Sequence, residues 1–290
     1  GISAAVEERA VPVCDSQGKV VKWYGTNTDI EDRKQAETAL EQAAEEVQQY
    51  AARLVETNRD LQDFAFIASH DLQEPLRKVQ AFGERLSARC GPQLGEEGHD
   101  YLDRMTNAAS RMQSMITDLL AYSRVTTKTR PFTLVDLEQV AQGVLSDLEV
   151  EIERSQGQVA LDRLPTVEAD PVQIRQLLQN LIGNALKFHR PDSPPRVKVS
   201  GETLSPAGPA GSTMVQIRVE DNGIGFDEQF AERIFQPFQR LHGRSEYEGT
   251  GIGLAICRKI VERHAGKITV ESKPGQGATF IVTLPLERAA

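Results

Sequence analysis

The feature that most constrains the fold is a heptad repeat in the first third of the chain. Apolar or small residues recur at alternating spacings of four and three for more than four repeats, and no glycine occurs between residues 30 and 83. Such a seam favours a parallel coiled-coil dimer. A single solvated helix is the alternative that the spacing leaves open. The seam consists of Ala36, Leu40, Ala43, Val47, Tyr50, Leu54, Thr57, Leu61, Phe64 and Ala68.

A histidine lies just beyond this seam, where the apolar stripe moves over by one residue. His70 falls two residues after Ala68 and two before Leu72, so at about 100° per residue it points roughly opposite the stripe. Asp71 follows it directly. A seam that widens here fits a coiled coil opening into a four-helix bundle. Taken alone, His70 is better explained as an ordinary solvated surface histidine.

The segments around the long helix predict further elements. Residues 11–24 alternate weakly around an Asp-Ser-Gln-Gly turn and predict a β-hairpin. Residues 90–98 contain three glycines and a proline and predict a turn. A second amphipathic helix should follow, and the two helices would form a hairpin whose stripes are buried on dimerisation. Its apolar face consists of Leu102, Met105, Ala109, Met112, Ile116 and Leu119.

Beyond a polar linker at residues 126–131 the pattern becomes mixed α/β. Asp136 could cap one helix, and Pro171 stands at the expected start of another. Strands are predicted at 197–204, 214–219, 267–271 and 278–284, with a helix at 251–264 before the last two. This order predicts a layered α/β sandwich without the strict βαβ alternation of a doubly wound sheet.

Composition excludes several classes of function. The formal net charge of −9 argues against nucleic acid as the main partner, which needs a basic face. No apolar run approaches the ~18 residues of a membrane span. Three scattered cysteines, Cys14, Cys90 and Cys257, indicate reduced thiols and a cytoplasmic protein. Because the chain begins at Gly1, we expect it to be part of something longer.

Four short motifs in the α/β part carry the chemistry. Asn180, Asn184 and Lys187 share one helix face, and amide oxygens with a cation suit Mg²⁺ and polyphosphate. The segment 221–225, Asp-Asn-Gly-Ile-Gly, follows a strand and offers a carboxylate to an exocyclic amine. The segment 249–254, Gly-Thr-Gly-Ile-Gly-Leu, opens a helix whose free amides suit phosphate. The fourth motif is Gly-Gln-Gly-Ala-Thr at 275–279; each motif alone is weak.

Together and in this order, the four motifs resemble the ATP-binding domain of sensor histidine kinases, which has the gyrase-type fold. Residues 30–125 resemble the dimerisation and phosphoacceptor domain of the same kinases. The resemblance implies α plus α/β architecture: a long coiled-coil helix and a helical hairpin forming a dimeric four-helix bundle, followed by an α/β sandwich that binds ATP. The first 29 residues resemble the end of a PAS sensor domain, with 29–34 as its exit signal.

These resemblances imply the following boundaries. Residues 1–29 would be the PAS remnant, 30–60 a coiled-coil signalling linker, and 61–125 the dimerisation and histidine phosphotransfer domain. Residues 126–131 would be a linker and 132–290 the catalytic ATP-binding domain. An ordinary hairpin is the alternative for the first segment.

The resemblance also assigns roles. His70 would be the phosphoacceptor and Asp71 its general base or orienting group, with Mg²⁺ on Asn184. Asp221 would bind the adenine amino group, and Lys187 would bind the phosphates. Arg240 would neutralise charge on the γ-phosphate. Residues 241–248 would form a mobile lid. The other ATP-binding residues implied are Asn180, Gly223, Gly225, Phe238, Gly249, Thr250, Gly251, Gly253, Leu254 and Thr279.

The implied activity is ATP-dependent autophosphorylation of His70 in a cytoplasmic homodimer, followed by transfer to an aspartate of a response-regulator receiver domain. Two departures weaken the expectation of phosphatase activity more than that of kinase activity: Glu74 stands where Thr or Asn is common, and Gln73 where a basic residue is common. Asn180 replaces the general base of gyrase-type ATPases, which favours transfer over hydrolysis. A gyrase-type ATPase and a degenerate kinase acting as a scaffold remain the alternatives.

The segment from His70 to Leu76 also resembles that of some phytochrome-type and related kinases. This second resemblance implies a light or redox input.

Overall fold

The computed structural model describes residues 6–29, 31–125, 130–204, 213–241, 243, 247 and 249–287. The chain divides into two compact units, Gly1–Phe64 and Ala65–Ala290. Within the described ranges, no helix combines the length and the apolar character that crossing a membrane requires. Cys14, Cys90 and Cys257 are all free thiols.

The first unit contains a β-hairpin and the start of a long helix. Strands β1 (Val6–Cys14) and β2 (Val20–Asp29) pair antiparallel, which confirms the predicted hairpin. The Asp15 carboxylate accepts from the backbone N–H groups of Gln17 and Lys19 and closes the turn. Helix α1 (Glu31–Arg124) then begins. The seam residues Leu40, Val47 and Leu54 are 67–72% exposed, so the predicted coiled-coil face is open in a single chain.

In the second unit, α1 folds back on itself as a helical hairpin. The break is at Gly95, whose φ of 63° and ψ of 176° are non-helical. The predicted turn at 90–98 is therefore confirmed in place but wrong in extent, because residues on both sides of Gly95 are helical. The His99 ring donates to the Gly91 carbonyl (2.9 Å) and joins the two helices beside the break.

The two helices, residues 65–94 and 96–124, run antiparallel. A Cβ at Gly83 would lie 2.4 Å from Thr106, and the Arg124 guanidinium lies 5.0 Å over the Phe66 ring. Gly83 therefore fits because the second helix leaves no space there for a side chain. The side chains buried in the second helix are Leu102, Ala109, Ile116 and Leu120.

The rest of the second unit is an α/β sandwich. Its elements are β3 (Thr133–Asp136), α2 (Leu137–Asp147), α3 (Glu149–Ser155), β4 (Gln158–Leu161), β5 (Thr166–Ala169), α4 (Pro171–Lys187), β6 (Arg196–Leu204), β7 (Met214–Asp221), α5 (Gly253–Arg263), β8 (Lys267–Lys273) and β9 (Gly277–Pro285). Two 3₁₀ turns, Glu228–Phe230 and Arg233–Phe235, lie between β7 and α5.

A five-stranded sheet forms one layer and helices form the other. The strand order is β4-β6-β7-β9-β8, with β4 and β6 parallel and all other neighbours antiparallel. Alternate residues of β7, Val215, Ile217 and Val219, are fully buried, whereas those between them are partly exposed. Helix α4 buries Leu177, Leu178, Leu181 and Ile182 completely. This packing fixes the end of β7 and the C-terminal half of α4, which both border the site.

Candidate nucleotide-binding site

A pocket of about 450 Å³ opens between the C-terminal half of α4, the end of β7 and the segment that leads into α5. Its volume lies within the usual range for small-molecule sites, ~300–1,000 Å³. It brings together most of the residues that the sequence predicted for nucleotide binding. Those that line it are Asn180, Asn184, Lys187, Asp221, Gly225, Arg240, Gly249, Thr250, Gly251, Gly253 and Leu254.

Helix α4 presents two amides and a cation to this pocket. The Asp170 carboxylate caps the helix by accepting from the N–H groups of Val172 and Gln173, and Pro171 occupies its first turn. The Asn180 amide nitrogen donates to the Gly253 carbonyl (3.4 Å) and so joins α4 to the first residue of α5. The Lys187 ammonium lies 4.5 Å over the Phe188 ring. Asn180, Asn184 and Lys187 are therefore each about one helical turn apart along α4.

Asp221 ends β7 inside the pocket wall. One carboxylate oxygen accepts from the N–H groups of Gly223 (2.8 Å) and Ala278 (3.1 Å). Burial raises the pKa of Asp221, and these two hydrogen bonds oppose the rise only in part. Gly225 completes this wall at a φ of +57°, where a Cβ would lie 2.0 Å from the Lys273 carbonyl oxygen. Only glycine fits, so the 221–225 segment can pack directly on the β8–β9 turn.

The glycine-rich segment 249–253 borders the pocket and opens α5. Residue 252, at the helix start, makes no side-chain capping bond, so the first amides of α5 have no side-chain cap. Gly249 has a φ of +133°, and a Cβ there would lie 2.7 Å from the Lys187 ammonium. The segment therefore combines helix N-terminal amides with a neighbouring lysine, a favourable environment for an anion.

Arg240 organises the segment before α5. Its guanidinium donates to the carbonyls of Gly249, Tyr247 and, at 3.4 Å, Gly243. The Tyr247 hydroxyl donates to the His189 carbonyl (3.2 Å), and its ring lies 5.0 Å from Phe188. The guanidinium is thus engaged with backbone oxygens of the predicted lid. The remaining lid positions, 242, 244–246 and 248, lie outside the described residues.

Three predicted nucleotide residues do not line the pocket. Gly223 acts through its N–H on Asp221. Phe238 is 54% exposed, and its N–H binds the Gly251 carbonyl. Thr279 pairs with β7 and β8 within the sheet. Gly223 and Phe238 thus contact pocket-lining residues, and Thr279 is a sequence neighbour of two of them, Ala278 and Phe280.

His70 and Asp71 belong to a different feature. The His70 side chain is 74% exposed, and its Nδ1 lies 3.4 Å from an Asp71 carboxylate oxygen. His70 borders a groove of about 350 Å³, lined also by Gln73, Glu74, Arg77, Gln80 and Gln113. Glu74 is paired with Lys78 (2.7 Å), and this hydrogen bond lowers its pKa. The predicted exposure of His70 is confirmed, and the structure does not bring it into the nucleotide pocket.

Two kinds of pocket residue were not predicted. Apolar side chains, Ile224, Phe226, Ile234, Leu241 and Phe280, make up much of the lining, and Ser114 and Asp118 come from the second hairpin helix. Ile224 lies within the 221–225 motif, and Phe226 and Phe280 directly follow the 221–225 and 275–279 motifs, so these three could have been inferred; no motif marks Ile234. Ser114 and Asp118 belong to no sequence motif. Their position in the pocket depends on how the hairpin packs against the sandwich.

Fold and site together define a nucleotide-binding α/β domain joined to a helical hairpin with an exposed histidine. Residues 169–288 match the family described as histidine kinase-, DNA gyrase B- and HSP90-like ATPase. Residues 60–128 match the His Kinase A (phospho-acceptor) domain.

Individual relatives agree with both matches. The chain is 31% identical over 278 residues to the adaptive-response sensory kinase SasA of Synechococcus elongatus, covering 90% of this chain and 69% of SasA. It is 44% identical over 243 residues to the phytochrome-like protein Cph1 of Synechocystis, covering 84% of this chain and 31% of Cph1. The crystal structure of full-length ShkA with AMPPNP aligns with a TM-score of 0.59 at 25% identity, covering 79% of this chain and 46% of ShkA.

The chain belongs to the histidine kinase family, with a phosphoacceptor hairpin followed by a gyrase-type ATPase domain. It spans about a third of the length of Cph1.

Proposed function

We propose that this chain is an ATP-dependent protein-histidine kinase that phosphorylates His70 and passes the phosphoryl group to an aspartate of a response regulator. The observation that carries the proposal is the pairing, in one compact unit, of a nucleotide-sized pocket with an exposed histidine whose Nδ1 faces a carboxylate. An imidazole whose Nδ1–H is turned toward Asp71 has Nε2 available as the nucleophile.

The pocket residues divide between the two ends of ATP. Asp221 would accept a hydrogen bond from the adenine amino group, with the ring between the apolar side chains Ile224, Phe226 and Phe280. Lys187 and the 249–253 amides would bind the phosphates. Burial makes the negative charge of the Asp221 carboxylate unfavourable, and the two backbone hydrogen bonds compensate for this only in part. A further hydrogen-bond donor on a ligand would therefore be favourable here.

The donor set in the pocket fits Mg²⁺. Asn184 and Asn180 supply neutral amide oxygens, and no group of three or more His, Cys, Asp or Glu suited to a metal occurs among the described residues. Mg²⁺ retains waters and takes phosphate oxygens, so few protein ligands suffice. We assign Asn184 as its ligand, supported by Asn180. An ion held there would neutralise negative charge on the phosphates.

The transfer is an in-line displacement at the γ-phosphorus. His70 Nε2 would form the new N–P bond as the bond from phosphorus to the bridging oxygen breaks, and ADP leaves with that electron pair. Asp71 would hold the Nδ1–H tautomer and accept its proton as positive charge develops on the ring. Because Asn180 stands where gyrase-type ATPases carry a general base, water is poorly activated and transfer to His70 is favoured.

The domain boundaries stated above are part of this proposal. Residues 61–125 would form the dimerising phosphotransfer hairpin, 132–290 the catalytic domain, 30–60 the signalling coiled coil, and 1–29 the end of a PAS domain. The working form would be a cytoplasmic homodimer. A light or redox input and the weakened expectation of phosphatase activity stay predictions from the sequence.

Incubation with γ-labelled Mg-ATP tests the proposal. The wild type should acquire acid-labile, alkali-stable label, and His70→Gln should acquire none. His99→Gln is the matched control, because His99 lies on the same hairpin and glutamine can still donate to the Gly91 carbonyl.

Three results would contradict the assignment. Label that survives in His70→Gln would identify a different phosphoacceptor. Rapid hydrolysis of ATP by residues 131–290 alone would favour a gyrase-type ATPase, and nucleotide binding without any label would favour a signalling scaffold.

A further inference from the structure

A carboxylate of the hairpin lies in the nucleotide pocket. Asp118, on the second hairpin helix, accepts a hydrogen bond from the Thr250 hydroxyl at 2.5 Å, across 132 positions of sequence. Thr250 belongs to the 249–253 segment, whose amides and neighbouring Lys187 suit an anion. The anion that occupies this environment here is Asp118.

Contacts at the end of the hairpin hold Asp118 in place. The Lys259 ammonium donates to the Tyr122 carbonyl (3.0 Å) and lies 4.3 Å over the Tyr122 ring. The Gln173 amide donates to the Val125 carbonyl (2.7 Å), and Val125 is 3% exposed. Asp118 lies only one to two helical turns before these anchored residues. The carboxylate is therefore presented to the pocket by a helix end that contacts both α4 and α5.

The same helix separates the pocket from His70. Ser114 lines the nucleotide pocket, whereas the adjacent Gln113 lines the groove beside His70. Successive helical residues point about 100° apart, so the two cavities open on different faces of this helix.

We propose that Asp118 is a specificity-determining residue of the nucleotide site, competing with the terminal phosphates for Thr250 and the adjoining amides. The proposal rests on the function proposed above. Each added phosphate brings negative charge towards Asp118, and like charges at close range repel even where water screens them. Asp118 thus weakens binding more for a triphosphate than for a monophosphate, and a bound triphosphate displaces the hairpin end.

Replacing Asp118 by asparagine isolates the charge, because asparagine can still accept the Thr250 hydrogen bond. Asp103→Asn is the matched control: it makes the same charge change on an exposed position of the same helix. Calorimetric titrations with Mg²⁺ and AMP, ADP or the imido analogue of ATP would be made on the whole chain. Asp118→Asn should bind the analogue on the order of tenfold more tightly, ADP by a smaller factor and AMP unchanged. Asp103→Asn should match the wild type.

A second readout follows the hairpin end. Saturating ATP analogue should increase hydrogen exchange over residues 114–125 of the wild type, and AMP should not. Equal or weaker binding of the analogue by Asp118→Asn, with normal AMP binding, would overturn the proposal, as would unchanged exchange. Failure of all three proteins to bind any nucleotide would instead refute the function on which it rests.

Discussion

At the scale of single residues, Asp221 lowers the stability of the fold but suits the binding of a hydrogen-bond donor. Burial raises its pKa above the ordinary 3.8, although two backbone N–H groups donate to it. A carboxyl group whose pKa is raised in the folded state lowers the stability of the fold as the pH rises above its unfolded pKa, and this cost is complete above the raised folded pKa. At neutral pH the ionised Asp221 therefore costs folding free energy, which a hydrogen-bond donor on the ligand would offset.

Asp221→Asn should separate the two effects. Asparagine removes the buried charge and retains an acceptor for Gly223 and Ala278, so we expect a free energy of unfolding equal to the wild type or up to about 1 kcal/mol higher. ATP-analogue binding should fall more than tenfold, because the amide is a weaker acceptor for the adenine amine. Urea unfolding and calorimetry on the same samples would measure both. Asp162→Asn, exposed and distant, is the control; a parallel loss of stability and binding in Asp221→Asn would contradict the interpretation.

At the scale of elements, Asp170 joins the start of α4 to the end of α5. Its carboxylate caps α4 and accepts from the Arg263 guanidinium (3.0 Å) and the Arg130 backbone N–H (3.1 Å). Burial acts to raise the pKa of Asp170, but the guanidinium and the backbone donors outweigh it and lower the pKa below 3.8. Such a group stabilises the fold above its unfolded pKa, and this stability is lost as the pH falls through the folded value.

Asp170→Asn should destabilise the protein by about 2–3 kcal/mol at pH 7, because asparagine still caps α4 but leaves Arg263 without its counter-charge. The difference from the wild type should stay constant down to about pH 4 and shrink below 3.8. Urea titrations between pH 3 and 7 would measure it. Asp136→Asn, which changes the α2 cap, should cost less than about 0.5 kcal/mol. Equal effects of the two substitutions would show that capping alone matters.

These elements also show what the sequence could predict. Asp136 and Pro171 marked the starts of α2 and α4 because caps and first-turn prolines act locally. The longer strands β6 and β7 were predicted from alternation, and β8 and β9 as strands on either side of a Pro-Gly-Gln-Gly turn. Strands β3, β4 and β5 were missed because each has four residues, too few for a period to be recognised.

The same distinction applies to the site. The motif residues from Asn180 to Leu254 could be grouped from their order alone, because each motif carries local chemistry. Asp118 could not, because its place beside Thr250 depends on contacts between segments more than a hundred residues apart. Arg240 was predicted from its type, and only the structure shows its guanidinium on the carbonyls of Gly243 and Tyr247 in the predicted lid and of Gly249 just beyond it.

At the scale of the whole molecule, the hairpin leaves much apolar surface uncovered. Residues Leu102, Ala109 and Ile116 are buried between its helices, yet Leu72, Phe82, Met105 and Met112 are 47–64% exposed. Apolar rows on both helices of a hairpin are the pattern of half a four-helix bundle. A second copy of the chain would cover them, in line with the homodimer predicted from the sequence.

Phe82→Asp should therefore convert a dimer into a monomer. Phe82 is 64% exposed in the single chain, and burying such a side chain is worth about 2 kcal/mol per protomer. Because both protomers of a dimer would bury it, the combined effect is roughly a thousandfold in the dissociation constant. Aspartate also places a charge in the apolar interface. Sedimentation equilibrium at low micromolar concentration should give twice the 32.0 kDa chain mass for the wild type and the chain mass for the variant. Val150→Asp, 78% exposed in the α/β sandwich, should remain dimeric; a monomeric wild type, or a dimeric Phe82→Asp, would show that this face does not hold two copies together.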